Sequence, residues 1–95
     1  MAIIDQRTFQ LVKGSGNEEV TRQKQRELDF EGYLGKDIFL NTEDKEMDIM
    51  LVQMRWESKE HLMNFKKSDQ HREGHKNRKP NPNILNHSMK IYSIE

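Results

Sequence analysis

The segment Glu46-Met47-Asp48-Ile49-Met50-Leu51-Val52-Gln53-Met54-Arg55-Trp56 decides the architecture. Side chains alternate between the two faces of a strand, which sets Met50, Val52, Met54 and Trp56 on one side and Ile49 and Leu51 on the other. A strand that is apolar on both faces is covered on both sides. The helices of so short a chain can cover one face, so the sequence predicts that the other meets the same face of a second subunit in a homodimer.

Working outward, Asn41-Thr42-Glu43-Asp44-Lys45 is a polar hairpin connection, and Tyr33 to Leu40 before it reads as the preceding strand. Ile3 to Val12 alternates loosely and ends at Lys13-Gly14-Ser15-Gly16, a turn signal. Asn17 is placed to cap a helix through Leu28, with Glu18 and Glu19 at its positive end. Its apolar stripe is thin, only Val20 and Leu28, so little burial is expected of it. Ser58 caps a second helix with Leu62 and Phe65 inward, and Ser68-Asp69 starts a short helix through His75, weakened at its end by Gly74. Lys76 to Asn86 holds both prolines and several asparagines and is expected to be an irregular, mobile loop. Met89 to Ile94 is the last strand. The order β-α-β-β-α-β predicts an α+β ferredoxin-like fold with an antiparallel sheet, as one domain over residues 1–95.

Composition narrows the function. A chain of 95 residues buries only about 60–65% of its unfolded surface, which also favours a partner subunit. Sixteen basic residues balance sixteen acidic ones, so no global field attracts nucleic acid or anionic lipid. The absence of cysteine excludes disulfides, thiolate metal sites and cysteine nucleophiles, and fits a reducing compartment. No apolar run is long enough to span a bilayer and no leader pattern opens the sequence, so a cytoplasmic protein is expected. P-loop, dinucleotide, nucleophile-elbow and paired-carboxylate motifs are not seen, which leaves hydrolase and Rossmann-type chemistry unsupported.

The stretch Met50 to His75, MLVQMRWESKEHLMNFKKSDQHREGH, resembles the signature of the antibiotic biosynthesis monooxygenase family: an apolar strand ending in Trp-x-Ser, an amphipathic helix, then Lys-Ser-Asp and a histidine. Within that family it is most similar to the IsdG-type haem-degrading monooxygenases, and Lys13-Gly14 and Lys90-Ile91-Tyr92 extend the likeness over most of the chain. The resemblance implies a dimeric α/β barrel that binds haem and opens it oxidatively with an external electron donor. It implies His75 as the axial iron ligand and Trp56, nineteen residues earlier, as a wall that shapes the haem. The subgroup's strand-one asparagine, which hydrogen-bonds near the distal oxygen, corresponds to Arg7 here. Gln6 and Gln10 are turned to the opposite face by strand alternation, so the amide role is unfilled. Arginine accepts no hydrogen bond, so Arg7 is expected to attract a carboxylate, either a haem propionate or an acidic substrate.

Each of these residues also has a plainer reading. His75 suits a helix C-terminus, Trp56 the core, and Arg7 an ion pair with an acidic neighbour across the sheet. His71 and His75 are half of a zinc site that lacks a third ligand. Lys76, Arg78 and Lys79 form a basic cluster, either solvated or facing propionates at a pocket mouth, and Met50, Met54 and Met63 are packing residues. Two other functions stay open. One is a non-haem dimeric domain that binds a small anionic ligand or a protein partner. The other is a cofactor-free monooxygenase of aromatic substrates, against which stands the lack of an evident aromatic pocket lining.

Overall fold

A computed structural model describes residues 1–76 and 79–95, leaving out the side chain of His75. Its elements run β1 (Ile3–Val12), α1 (Gly16–Gln25), β2 (Tyr33–Asn41), β3 (Met47–Trp56), α2 (Lys59–Lys66), α3 (Asp69–Lys76) and β4 (Ile84–Ser93). The four strands form one sheet in the order β2-β3-β1-β4, with every neighbouring pair antiparallel. This is the ferredoxin-like α+β arrangement that the sequence predicts.

The register of β1 against β3 pairs Ile3 with Trp56, Phe9 with Met50 and Leu11 with Asp48, so the even-numbered side chains of β3 and the odd-numbered ones of β1 share the inner face. Two apolar clusters form there. Phe9, Leu11, Met50 and Val52 build one, and Ile3, Trp56 and Leu62 the other. On the outer face Gln53 Nε2 donates to Gln6 Oε1 at 2.9 Å, and Arg55 pairs with Asp37. Ile49 and Leu51 are only half-buried there, and Phe39 and Tyr92 are 50% and 46% exposed, because no helix among the described residues covers that side.

The start of α1 is held from a distance. Asn17 lies inside the helix, and Ser15, at the N-cap position, makes no side-chain cap. Buried Asp48 takes that part: its Oδ2 accepts the backbone N–H of Gly14 at 3.1 Å and of Gly16 at 2.9 Å, while Lys13 Nζ lies 3.3 Å from Oδ1. A carboxylate at the positive end of a helix, satisfying otherwise unpaired N–H groups, is stabilised as the anion. The Gly16 N–H, followed by the Lys13 ammonium and the Gly14 N–H, holds the Asp48 pKa below its ordinary 3.8 despite burial. A carboxyl whose pKa is depressed by folding adds stability that is present above the unfolded value and lost as pH falls through the lower, folded one. Urea unfolding should therefore show wild type losing stability below about pH 4, with a shallower acid loss in Asp48→Asn, which is the less stable protein at pH 7.

Two boundaries, and the segment before the last strand, differ from the sequence expectation. α1 stops at Gln25 and not at Leu28, because Lys36 of β2 donates from Nζ to the carbonyls of Gln23 and Arg26, the latter at 2.6 Å, and ends the helix by satisfying its last acceptors. Leu28 then leaves the helix to pack against the second cluster. β4 begins at Ile84, five residues before the expected start, and Ile84 packs on the first cluster. The segment before it is tied to the rest of the fold by hydrogen bonds from Asn81 onward. Buried Glu19 of α1 accepts from Asn81 Nδ2 at 2.6 Å and from Asn83 Nδ2 at 3.1 Å, and the Asn83 carbonyl accepts from Val12 N at 2.8 Å. Burying a charge requires such partners, and the asparagines that suggested mobility in the sequence provide them.

Candidate active site

α1 packs on β2 and β3, and α2 packs on β3, while the inner face is left open toward its β4 side, where the strand is largely exposed. Met89 and Ile91 of β4 are accordingly exposed although they stand on the inner side. The result is a cleft of about 1630 Å³ between that open side of the sheet, α1 and the α2–α3 pair. Its volume exceeds the roughly 300–1,000 Å³ of ordinary small-molecule sites. A smaller recess of about 510 Å³ opens beside it and shares Arg26, Tyr33, Lys36 and Gln70.

The floor and one wall of the cleft are apolar. Phe9, Met50, Met54 and Met89 come from the sheet and Phe65 from α2. Phe9 stacks on His87 of β4, with ring centroids 5.8 Å apart and planes 17° from parallel. Phe65 meets His71 of α3 edge-on at 5.1 Å, and both residues line the cleft. Phe9, Tyr33 and Phe65 thus supply the aromatic lining that the sequence reading did not find. They come from three different elements and converge only in the folded chain. Burial raises the pKa of the Tyr33 hydroxyl, an effect partly offset by Arg55, so it stays a neutral donor.

The opposite wall is charged. Among the described lining residues, lysines and arginines outnumber glutamates six to three. Arg22 of α1 and Arg26, the extended residue that caps its C-terminus, both line the cleft, with Lys36 of β2 and Lys66 of α2 in the same lining. Arg22 Nη2 donates to Glu18 Oε1 at 2.8 Å, across an exposed turn. Burial, and then the charge of Arg26, lower the pKa of Lys36. The thin apolar stripe of α1 is explained here: the side that the sequence left without packing residues is the wall of a polar cleft.

Arg7 lines the cleft from β1, and its partner among the described residues is Asp5, two residues away on the same strand and face, not an acidic residue across the sheet. Trp56 is fully buried, one layer behind the lining, against Tyr33 at 5.3 Å and Phe65 at 5.5 Å. His75 lies in α3 one turn after His71, and its side chain is outside the described residues, as is Arg78 of the basic cluster. Lys79 lines the cleft. No group of three histidine or acidic residues able to hold a metal ion is found among the described residues. The sequence alone does not mark Arg22, Arg26, Asp5 or His87 as site residues. The four-residue spacing of the two arginines on a helix poor in apolar residues was the available signal for them; Asp5 and His87 had none.

Comparison with known proteins agrees with this architecture. Residues 13–77 match the family model described as antibiotic biosynthesis monooxygenase. A heme-degrading monooxygenase of Shouchella clausii is 32% identical over 98 residues, covering 100% of this chain and 91% of that protein. One of Halalkalibacterium halodurans is 30% identical, covering 98% and 82%. Among solved structures, a Bacillus cereus protein described as an antibiotic biosynthesis monooxygenase superposes with a TM-score of 0.78 at 20% identity, over 99% of this chain and 93% of that one. The heme-degrader MhuD of Mycobacterium tuberculosis, with two hemes bound in its active site, superposes at 0.74 and 20% identity, over 97% and 94%. The chain belongs to the antibiotic biosynthesis monooxygenase family.

Proposed function

We propose that this protein binds haem in the inner-face cleft and degrades it oxidatively as a monooxygenase, with electrons from an external donor. The observation that carries the reading is the split character of the cleft, an apolar floor against a cationic wall, in a volume large enough for a macrocycle. A porphyrin is a flat apolar body with two carboxylates, and burial of such a body with ionic anchoring at one edge suits this lining. Relatives at 32% and 30% identity are named for the same activity.

In this reading His75 would hold the haem iron, and the haem would supply the oxygen-activating chemistry when bound. Phe9, Met50 and Met89 hold the flat face and exclude water, Arg22 and Arg26 take carboxylates, and Arg7 donates to an acceptor from the sheet side. Trp56 acts from behind, by fixing Phe65 and Tyr33. The protein works as a cytoplasmic homodimer closed through the outer sheet face, where Phe39 and Tyr92 are exposed and a dimeric α/β barrel would cover them.

A hemin titration of wild type and His75→Ala side by side, followed by ascorbate under air, tests the reading. The expected result is a one-to-one Soret complex in wild type that bleaches with reductant, and a shifted Soret band without bleaching in the variant. Saturable binding without bleaching in wild type would make the protein a haem carrier. A wild type with no saturable complex would remove haem and leave a non-haem domain binding a small anionic ligand.

A further inference from the structure

The cleft floor carries an acid–base pair whose acidic member has no part in the function proposed above. Strand alternation sets Asp5 and Arg7 on the inner face of β1, where Asp5 lies opposite Met54 of β3 and Ile91 of β4. Asp5 is fully buried. Its Oδ2 accepts from Arg7 Nη2 at 3.4 Å, long for a charge-assisted hydrogen bond, and neither its Oδ1 nor the buried Arg7 Nε has a hydrogen-bond partner among the described residues. A carboxylate withdrawn from water and held by one long contact is expensive, and an uncharged side chain of similar size would fill the place at less cost. Such an arrangement is kept where its geometry serves a site. Arg7 is the member that reaches the cleft, with a quarter of its side chain exposed, while Asp5 does not line it.

We propose that Asp5 is a positioning residue that fixes the Arg7 guanidinium at the sheet floor, so that its remaining N–H groups meet a small anionic or oxygen acceptor on the ligand. The pair is neutral in sum, so it selects an acceptor by donor geometry and is a poor anchor for a carboxylate, which the cations of α1 serve better. A fixed planar fork loses little freedom when it donates, and it cannot serve a partner that must itself donate. The long Asp5–Arg7 contact is expected to tighten when an acceptor arrives, as site hydrogen bonds do on ligand binding.

The proposal rests on the haem reading, and its test separates the two. Ferric hemin complexes of wild type, Arg7→Met, Asp5→Asn and the double variant are titrated with fluoride, an iron-bound anion that accepts hydrogen bonds, and followed by visible absorption. Fluoride should bind about tenfold more weakly to Arg7→Met, which has no donor, several-fold more weakly to Asp5→Asn, and no more weakly to the double variant than to Arg7→Met, since Asp5 acts only through Arg7. Independent, additive losses would overturn the positioning role, and unchanged affinity in Arg7→Met would overturn the subsite. Should Asp5→Asn fail to fold, Arg7→Lys replaces it: an ammonium keeps the charge without the fork, so its fluoride affinity should drop toward that of Arg7→Met, and wild-type affinity there would overturn the proposal. A wild type that forms no hemin complex overturns both readings, whereas a complex indifferent to Arg7 overturns only this one.

Discussion

Trp56→Ala is expected to lower the free energy of unfolding by about 3–5 kcal/mol, as deletion of a fully buried large aromatic does. The indole is the centre of the second core cluster: Phe30, Tyr33 and Phe65 all meet it edge-on or tilted, with centroids between 5.3 and 6.3 Å, and Ile3 and Leu62 close it from β1 and α2. A domain of this size holds about 5–15 kcal/mol in all, so the variant should melt more than about 12 °C below wild type. Trp56→Phe keeps an aromatic plate and should cost only about 1–2 kcal/mol. Thermal and urea unfolding of the two variants measure this. If Trp56 acts on the ligand only through the packing of Phe65 and Tyr33, Trp56→Phe should bind hemin nearly as wild type does. A wild-type melting profile with lost hemin binding in Trp56→Phe would instead place Trp56 in direct contact with the ligand.

The second large effect concerns the wall of α1. Replacing Arg22 and Arg26 together by alanine should weaken hemin binding by about 10- to 100-fold, one factor of about ten for each charge-assisted contact removed at a partly solvated site. Stability should fall only modestly: the Arg22 pair with Glu18 is exposed and worth about 0.3–0.5 kcal/mol, and although Arg22 Nε also lies 3.8 Å from Oε2 of buried Glu19, that carboxylate keeps its Asn81 and Asn83 donors. Salt offers a second readout: raising it to ~0.5 M should weaken wild type toward the double variant and leave the variant little changed, since exposed charges are screened. A double variant that binds hemin as tightly as wild type would show that burial alone holds the ligand and that the cationic wall does not read its carboxylates.

The fold was legible because its signals are local. Backbone stereochemistry alone fixes the alternation of side chains in a strand, so Met50, Val52, Met54 and Trp56 could be assigned to one face before any partner was known. The Ser58 cap, the turn at Gly14 and the strand and helix order follow from the same short-range chemistry. The site was legible only in part. The resemblance gave the places of Arg7, Trp56 and His75, and the structure puts Arg7 in the cleft and Trp56 behind it, while the side chain of His75 lies outside the described residues.

What the sequence by itself determined, then, is the set of elements, their order and which face of each strand is apolar. Tertiary structure alone decided which distant polar groups meet: Asp48 with Gly16, Glu19 with Asn81 and Asn83, and Lys36 with the end of α1. It also turned Arg22 and Arg26 from a weakly amphipathic stretch into the wall of a cleft. The reason is physical. Periodicity belongs to a single element and is set by its own backbone, whereas a buried charge is satisfied by whichever donors the register and the helix packing carry to it, and nothing within one element specifies those.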